Sequence, residues 1–181
     1  MVQEDFDLTQ VQTALNDAHG DAKLFRAIVD APFEQKLATA FMFLGIVVLL
    51  QVDTKAQTIN RVALSNTELA KSTTQVSVVP FEAIKIPVGH DTNIIAKAIQ
   101  TGKPQDTTDW KYLFTPALAD EQARINQASA GIAYSAVYPL TSRECGALIF
   151  SYFQYQHSLP ETPHSFMANY TQLVDAALAN S

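Results

Sequence analysis

The sequence predicts a single α+β domain with an antiparallel sheet of five or six strands covered by helices on both faces. Three observations favour this fold. Apolar runs typical of strands occur in neighbouring pairs joined by short turns, which pair antiparallel. Helical patterns precede the first pair and follow the last, and a long mixed stretch, residues 66–130, separates the pairs. We therefore expect the N- and C-terminal helices on one face, this middle segment (66–130) on the other, and a cavity beneath it.

Composition narrows the class of protein. The 181 residues include 48% hydrophobic and 17% charged ones, which is typical of a globular domain. The net charge is -6 and no two of the 12 Lys and Arg residues are adjacent, so we expect no nucleic-acid partner. The single cysteine, Cys145, fits a reducing compartment, and the acidic N-terminus lacks a signal pattern, so we expect a cytoplasmic protein.

The N-terminal part is predicted to be helical. Apolar residues at helical spacing indicate three helices, at 8–18, 21–29 and Pro32–Leu44, the last opened by a proline suited to a first turn. We divide the chain into a helical extension, 1–34, and the main domain, 35–181.

The run FMFLGIVVLLQVD, Phe41 to Asp53, raises the question of a membrane helix. Its uncharged part, 37–52, is shorter than the roughly 20 residues that a spanning helix needs, and Gly45 divides it. We predict that its second half is a central strand, 46–52, with both faces covered. The residues IVVLL should then be buried, with one face forming the floor of the cavity.

The remaining elements follow from turn residues and periodicity. Asp91 is expected to cap a helix that Gly102 and Pro104 end, and 66–80 reads as polar and irregular with room for a short helix. The other predicted elements are strands at 58–65 and 83–87, a helix at 117–129, a hairpin formed by GIAYSAVYPL and CGALIFSYFQ, and a final helix after Pro160 and Pro163.

Several short motifs resemble those of the GAF domain family. The turn that ends a helix in the middle segment, with the aspartate after it, matches at Thr101, Gly102, Lys103, Pro104 and Asp109. The last hairpin matches at Pro139, Leu140, Gly146 and Leu148, and the closing helix is similar over Phe166–Leu178. The resemblance covers roughly residues 35–180.

The resemblance implies a PAS-like antiparallel sheet with a small-molecule pocket between sheet and middle segment. It further implies a sensory domain that passes a ligand signal to partners, as a homodimer through its terminal helices. Family specialisations are not matched: the Asn-Lys and Asp-Glu pairs of cyclic-nucleotide binders and the middle-segment cysteine of bilin binders are missing. The sequence leaves any cofactor unknown, shows no metal-ligand spacing, and predicts no membrane partner.

Two alternatives to a non-catalytic sensor remain open. One is a structural or dimerisation module whose own side chains fill the pocket. The other is a thiol enzyme using Cys145, although free methionine sulfoxide reduction ordinarily needs a second, resolving thiol.

The candidate ligand-binding residues are mostly aromatic. If Tyr134 and Tyr138 face the cavity, their hydroxyls would hold a polar ligand in an apolar wall; aromatic core packing is the equal alternative. His90 borders the proposed cavity, although the simpler interpretation is an exposed loop residue. Arg124 would meet an anionic ligand, and the simpler alternative is a solvated residue on its helix. The remaining candidates lie in the middle segment: Asp109, Trp110 and Tyr112.

Overall fold

The computed structural model describes residues 8–34, 43–142, 146–153 and 161–181. Its described helices are α1 Thr9–Asp17, α2 Asp21–Glu34, α3 Glu68–Val76, α4 Ile94–Thr101, α5 Lys111–Phe114, α6 Asp120–Ser129 and α7 Glu161–Ala179. Its strands are β1 Leu44–Asp53, β2 Thr58–Leu64, β3 Lys85–Pro87, β4 Gln105–Thr107, β5 Tyr134–Pro139 and β6 Ala147–Tyr152.

The strands form one six-stranded antiparallel sheet in the order β3-β2-β1-β6-β5-β4. This confirms the predicted α+β class, the hairpin β5–β6 and the pairing of the first strand with the last. Strand β4 joins as an edge strand that the sequence did not predict, since three polar residues give no strand periodicity.

The central strand β1 is buried on both faces, as predicted. Every residue of Ile46–Leu50 is at most 7% exposed. Val47 and Leu49 pack into an apolar core with α1, α2 and α7, whereas Ile46, Val48 and Leu50 pack into a second core under the middle segment. Burial on both faces explains an apolar run without alternation.

The terminal helices share the first core. Phe166, Tyr170 and Val174 of α7 pack with Leu24 and Ile28 of α2. The Tyr170 hydroxyl donates a hydrogen bond of 2.6 Å to the Ile28 carbonyl, so α2 and α7 are tied together over the sheet. The division of the chain after residue 34 stays a prediction.

The predicted third helix from Pro32 to Leu44 is wrong at both ends. Pro32 lies in the last turn of α2, and Leu44 begins β1; residues 35–42 lie outside the described part of the chain. Helix α2 continues past residue 29 because Ala31 and Pro32 are buried against the core. This packing offsets the hydrogen bond that a proline inside a helix removes.

The helix cap predicted at Asp91 is instead Asn93. The Asn93 side-chain oxygen accepts hydrogen bonds from the Ile95 and Ala96 amides, and its amide nitrogen donates to the carbonyls of Leu113 and Thr115. An aspartate would lack those donors, so the amide joins the start of α4 to the end of α5 in a way that a carboxylate cannot.

The stretch 66–80 is more regular than its composition indicated. Helix α3 begins after Thr67, whose hydroxyl accepts a hydrogen bond from the Ala70 amide. The predicted helix at 117–129 begins only at Asp120.

Candidate functional site

A small cavity lies between the sheet and the middle segment, where the sequence placed it. Its volume is about 50 Å³. Its floor consists of Ile46 and Val48 from β1 and Ile149 from β6, so one face of the IVVLL run does form the floor. The other walls come from β2, α3, the stretch 77–84, α5 and α6, with Trp110, Leu113 and Phe114 on one side.

Arg61 is a charged residue in this apolar wall. It is 5% exposed, because it follows Ile59 by two positions and therefore shares the inward face of β2. Its guanidinium lies 4.6 Å from the centre of the Phe114 ring, and its Nη1 lies 3.5 Å from the Ile84 carbonyl oxygen. No carboxylate of the described residues pairs with it. Burial lowers the pKa of Arg61 to about 9.

A chain of buried hydrogen bonds ends at the cavity. The Trp110 indole nitrogen donates to the Ser135 hydroxyl at 2.8 Å, and that hydroxyl lies 2.8 Å from the Ser151 hydroxyl. Either hydroxyl of this pair can be the donor, and the described residues offer neither of them a second acceptor. Ser151 lines the cavity, so when Ser135 donates to it, the Ser151 proton is left for an acceptor on the cavity side.

Asn126 of α6 supplies another donor. Its side-chain oxygen accepts a hydrogen bond of 2.8 Å from Gln122, which fixes the orientation of the amide. The amide nitrogen has no acceptor among the described residues, although Asn126 is only 1% exposed and lines the cavity. An unsatisfied buried donor is unfavourable, and such groups are rare in folded proteins.

Of the residues proposed from sequence, only Trp110 lines the cavity. Asp109 and Arg124 instead pair with each other, with 2.8 Å between Arg124 Nη2 and Asp109 Oδ2. Partial burial raises the pKa of Asp109, but the hydrogen bonds from Arg124 and the Lys111 amide, together with the positive charges of both residues, leave that pKa below its ordinary value. Tyr112 is exposed, and its ring contacts the Lys111 ammonium group. His90 lies in the loop before α4, where its Nδ1 is 3.4 Å from the Thr92 hydroxyl.

The two tyrosines of β5 lie on the other face of the sheet. Tyr134 and Tyr138 belong to the core that the terminal helices cover, and the Tyr138 hydroxyl lies 3.5 Å from the His164 carbonyl of α7. This arrangement is the core-packing alternative. Ser135 and Val137, which lie between the two tyrosines in sequence, face the middle segment instead.

Sequence reasoning missed Arg61 and Asn126. A signal existed for Arg61, because a charged residue two positions after Ile59 in a predicted strand shares its inward face. Asn126 gave no comparable signal, since α6 is polar along most of its length. In the described residues, no group of three His, Cys, Asp or Glu side chains converges as a metal site would require.

The search for relatives finds resemblance in structure alone. No family model and no curated protein matches the sequence. Among solved structures, the GAF domain from Acinetobacter phosphoenolpyruvate-protein phosphotransferase is similar, with a TM-score of 0.60, 12% identity and coverage of 96% of this chain and 90% of that one.

Two further structures are similar over comparable lengths. Residues 122 to 287 of a methyl-accepting chemotaxis protein give a TM-score of 0.62 at 12% identity, covering 94% of this chain and 96% of that one. Free methionine-R-sulfoxide reductase from Neisseria meningitidis gives 0.59 at 13% identity, covering 94% and 85%. None of the described helices is both long and apolar enough to cross a bilayer.

Proposed function

Because the chain has the GAF domain fold, we propose that it is a sensory domain that binds a small molecule between the sheet and the middle segment. The observation that carries the proposal is the cavity at this interface, into which Asn126 and Ser151 bring buried polar groups among apolar walls. Ligand sites are typically apolar concavities with a few fixed polar groups.

The central strands would carry the signal. In β1, Ile46 and Val48 border the cavity, while Val47 and Leu49 between them pack with the terminal helices. In β6, Ile149 borders the cavity, and its neighbour Phe150 packs against Phe166 and Tyr170 of α7. A ligand that binds one arrangement of these strands better than another would shift the population of α7 positions.

Filling the cavity tests the proposal. Ser77 lines the cavity in the loop after α3, and its neighbour Val78 is 73% exposed and does not line it. Ser77→Phe should abolish the rise in Tm that a stabilising compound gives in a screen of small metabolites, whereas Val78→Phe should keep that rise. The physical reason is that a ligand stabilises the fold only in proportion to its binding.

Either of two results would contradict the proposal. If no compound raises the Tm of the wild type, or if Ser77→Phe responds as the wild type does, the cavity is not a ligand site. The Tm of each variant without compound serves as the control for folding.

A structural or dimerisation module is the second candidate, and the small volume favours it. About 50 Å³ lies well below the roughly 300 to 1,000 Å³ of drug-sized ligand pockets. In that case no compound would bind. Ser77→Phe would also leave the oligomeric state, and the dissociation constant of the oligomer, unchanged. Light scattering on the purified chain also measures the homodimer that we propose through the terminal helices.

The thiol-enzyme alternative stays a hypothesis. Cys145 lies outside the described residues, and the motive for testing it is the similarity in fold to a free methionine-R-sulfoxide reductase. Absence of methionine sulfoxide reduction by the wild type, or full activity of Cys145→Ser, would exclude this cysteine as the nucleophile.

A further inference from the structure

The charge around the cavity is unbalanced. Arg61 brings a positive charge to the cavity wall although it is only 5% exposed, and its contacts are a neutral ring and a neutral carbonyl. The three described ion pairs of the molecule lie elsewhere and involve other residues. A buried charge is ordinarily paired, since the interior solvates it poorly.

The hydrogen-bonding groups at the cavity likewise include donors without acceptors. Asn126 offers an amide N–H that has no acceptor among the described residues. The hydroxyl pair of Ser135 and Ser151 leaves one more proton without an acceptor there, which Ser151 presents to the cavity when Ser135 donates to it. The other hydroxyls that line the cavity, those of Thr73, Thr74 and Ser77, already donate to backbone carbonyls. The site therefore presents free donors and a cation together, which an anion would satisfy.

On this basis, and resting on the function proposed above, we propose that the ligand is a small monocarboxylate bound by Arg61, Asn126 and Ser151. A guanidinium matches a carboxylate in planar, two-point geometry. One cation balances one negative charge, which favours a carboxylate over a phosphate dianion. The apolar walls formed by Ile84, Leu113 and Trp110 suit a short hydrocarbon body.

The size of the cavity limits the ligand. A volume of about 50 Å³ corresponds to a few water-sized spheres, because one sphere occupies roughly 10 to 15 Å³ on this measure. We therefore expect acids with short chains, whose binding the cavity admits with little rearrangement of the middle segment.

Calorimetric titration of the full chain tests this assignment. The probes are the sodium salts of acetic to hexanoic, lactic and pyruvic acids, at constant ionic strength, and the neutral amide of each acid. At least one acid should bind saturably, and its amide should bind at least about 30-fold more weakly, the loss typical of a missing buried charge partner.

Variants assign the binding to these residues. Arg61→Met should weaken binding of that acid by about 30-fold or more, because it removes the cation and keeps the apolar stem. Arg26→Met is the matched control, since it deletes an equal charge at a side chain that is 74% exposed, and it should bind as the wild type does. Asn126→Asp is a second variant: its carboxylate would pair with Arg61 and compete with the acid, giving a loss of similar size.

The outcomes separate the two proposals. If neutral compounds raise the Tm of the wild type, with the response lost in Ser77→Phe, while no acid of the panel binds, the carboxylate assignment is wrong and the sensory function stands. If acids bind equally well to Arg61→Met or Asn126→Asp, or their amides bind as tightly, the assignment is also wrong. If neither class of compound binds, both proposals fail.

Discussion

Asp175 of α7 binds Thr141 and Ser142, which lie shortly after β5. Its carboxylate accepts hydrogen bonds from the backbone amides and hydroxyls of Thr141 and Ser142, at 2.6 to 3.0 Å. Partial burial raises the pKa of Asp175, but the bonds from Ser142 and Thr141 outweigh that effect and leave the pKa below its ordinary value of 3.8. The ionised form is therefore more favourable in the folded state than in the unfolded one.

The stability that Asp175 contributes should depend on pH in a definite direction. Because its folded pKa is depressed, the contribution is fully present above about pH 4 and is lost as the pH falls through the folded pKa. Asp175→Asn should lower the free energy of unfolding by about 1 to 2 kcal/mol at pH 7, the scale of hydrogen bonds to a partly exposed charge. Urea denaturation at pH 7 and pH 3 measures the difference.

The control for this prediction is Asp91→Asn, because Asp91 is exposed and its side chain makes none of the described hydrogen bonds. A cost for Asp175→Asn that is equal at both pH values would show that the charge of Asp175 contributes nothing.

At the same scale, the sequence pointed to Trp110 among the residues that line the cavity, but not to Arg61 or Asn126. The central strands are apolar on both faces, so alternation along β5 does not reveal which face meets the cavity. Tyr134 and Tyr138 were consistent with either face for that reason. The role of Asn126 depends on Gln122 turning its amide, a contact one helical turn away that composition does not show.

Among the elements, strand β1 lies close against Gly146, the residue that precedes β6. A Cβ atom on Gly146 would overlap the Leu50 carbonyl oxygen of β1, so the two backbones would have to separate. Gly146→Ala should therefore destabilise the fold by about 1 to 3 kcal/mol or more, the scale of overpacking in a core. Denaturant unfolding monitored by circular dichroism measures this cost.

Gly89→Ala is the matched control, because a Cβ at Gly89 meets nothing within 4 Å and that residue does not have a positive φ. Equal stabilities of Gly146→Ala and Gly89→Ala would mean that β1 and β6 have room that the structure does not show.

The sequence predicted a helix or strand correctly where the residues of that element alone carried a clear pattern. The apolar run of β1, the β5–β6 hairpin and the long final helix were all predicted from their own residues. The end of α2, the Asn93 cap and strand β4 were not, because each depends on packing or hydrogen bonds with distant residues, such as those from Asn93 to Leu113 and Thr115.

At the scale of the whole molecule, one sheet separates the cavity from the terminal helices. Successive residues of β1 and β6 face the two sides in turn, so displacement of either strand changes the packing on both. The bond between Tyr170 and Ile28 joins α7 to α2 on the helix side. A displacement of β1 or β6 at the cavity would therefore reach α2 and α7, the helices through which we propose that the chain forms a homodimer.

We propose that a small molecule binds in the cavity beneath the middle segment, and the fluorescence of Trp110 tests this binding directly. Trp110 is the single tryptophan of the chain, is buried and lines the cavity. During titration with a compound that raises the Tm, its fluorescence should change saturably, with the same dissociation constant as calorimetry gives, and Ser77→Phe should abolish the change. Saturable binding by calorimetry with an unaltered Trp110 emission spectrum would place the ligand elsewhere and contradict this account.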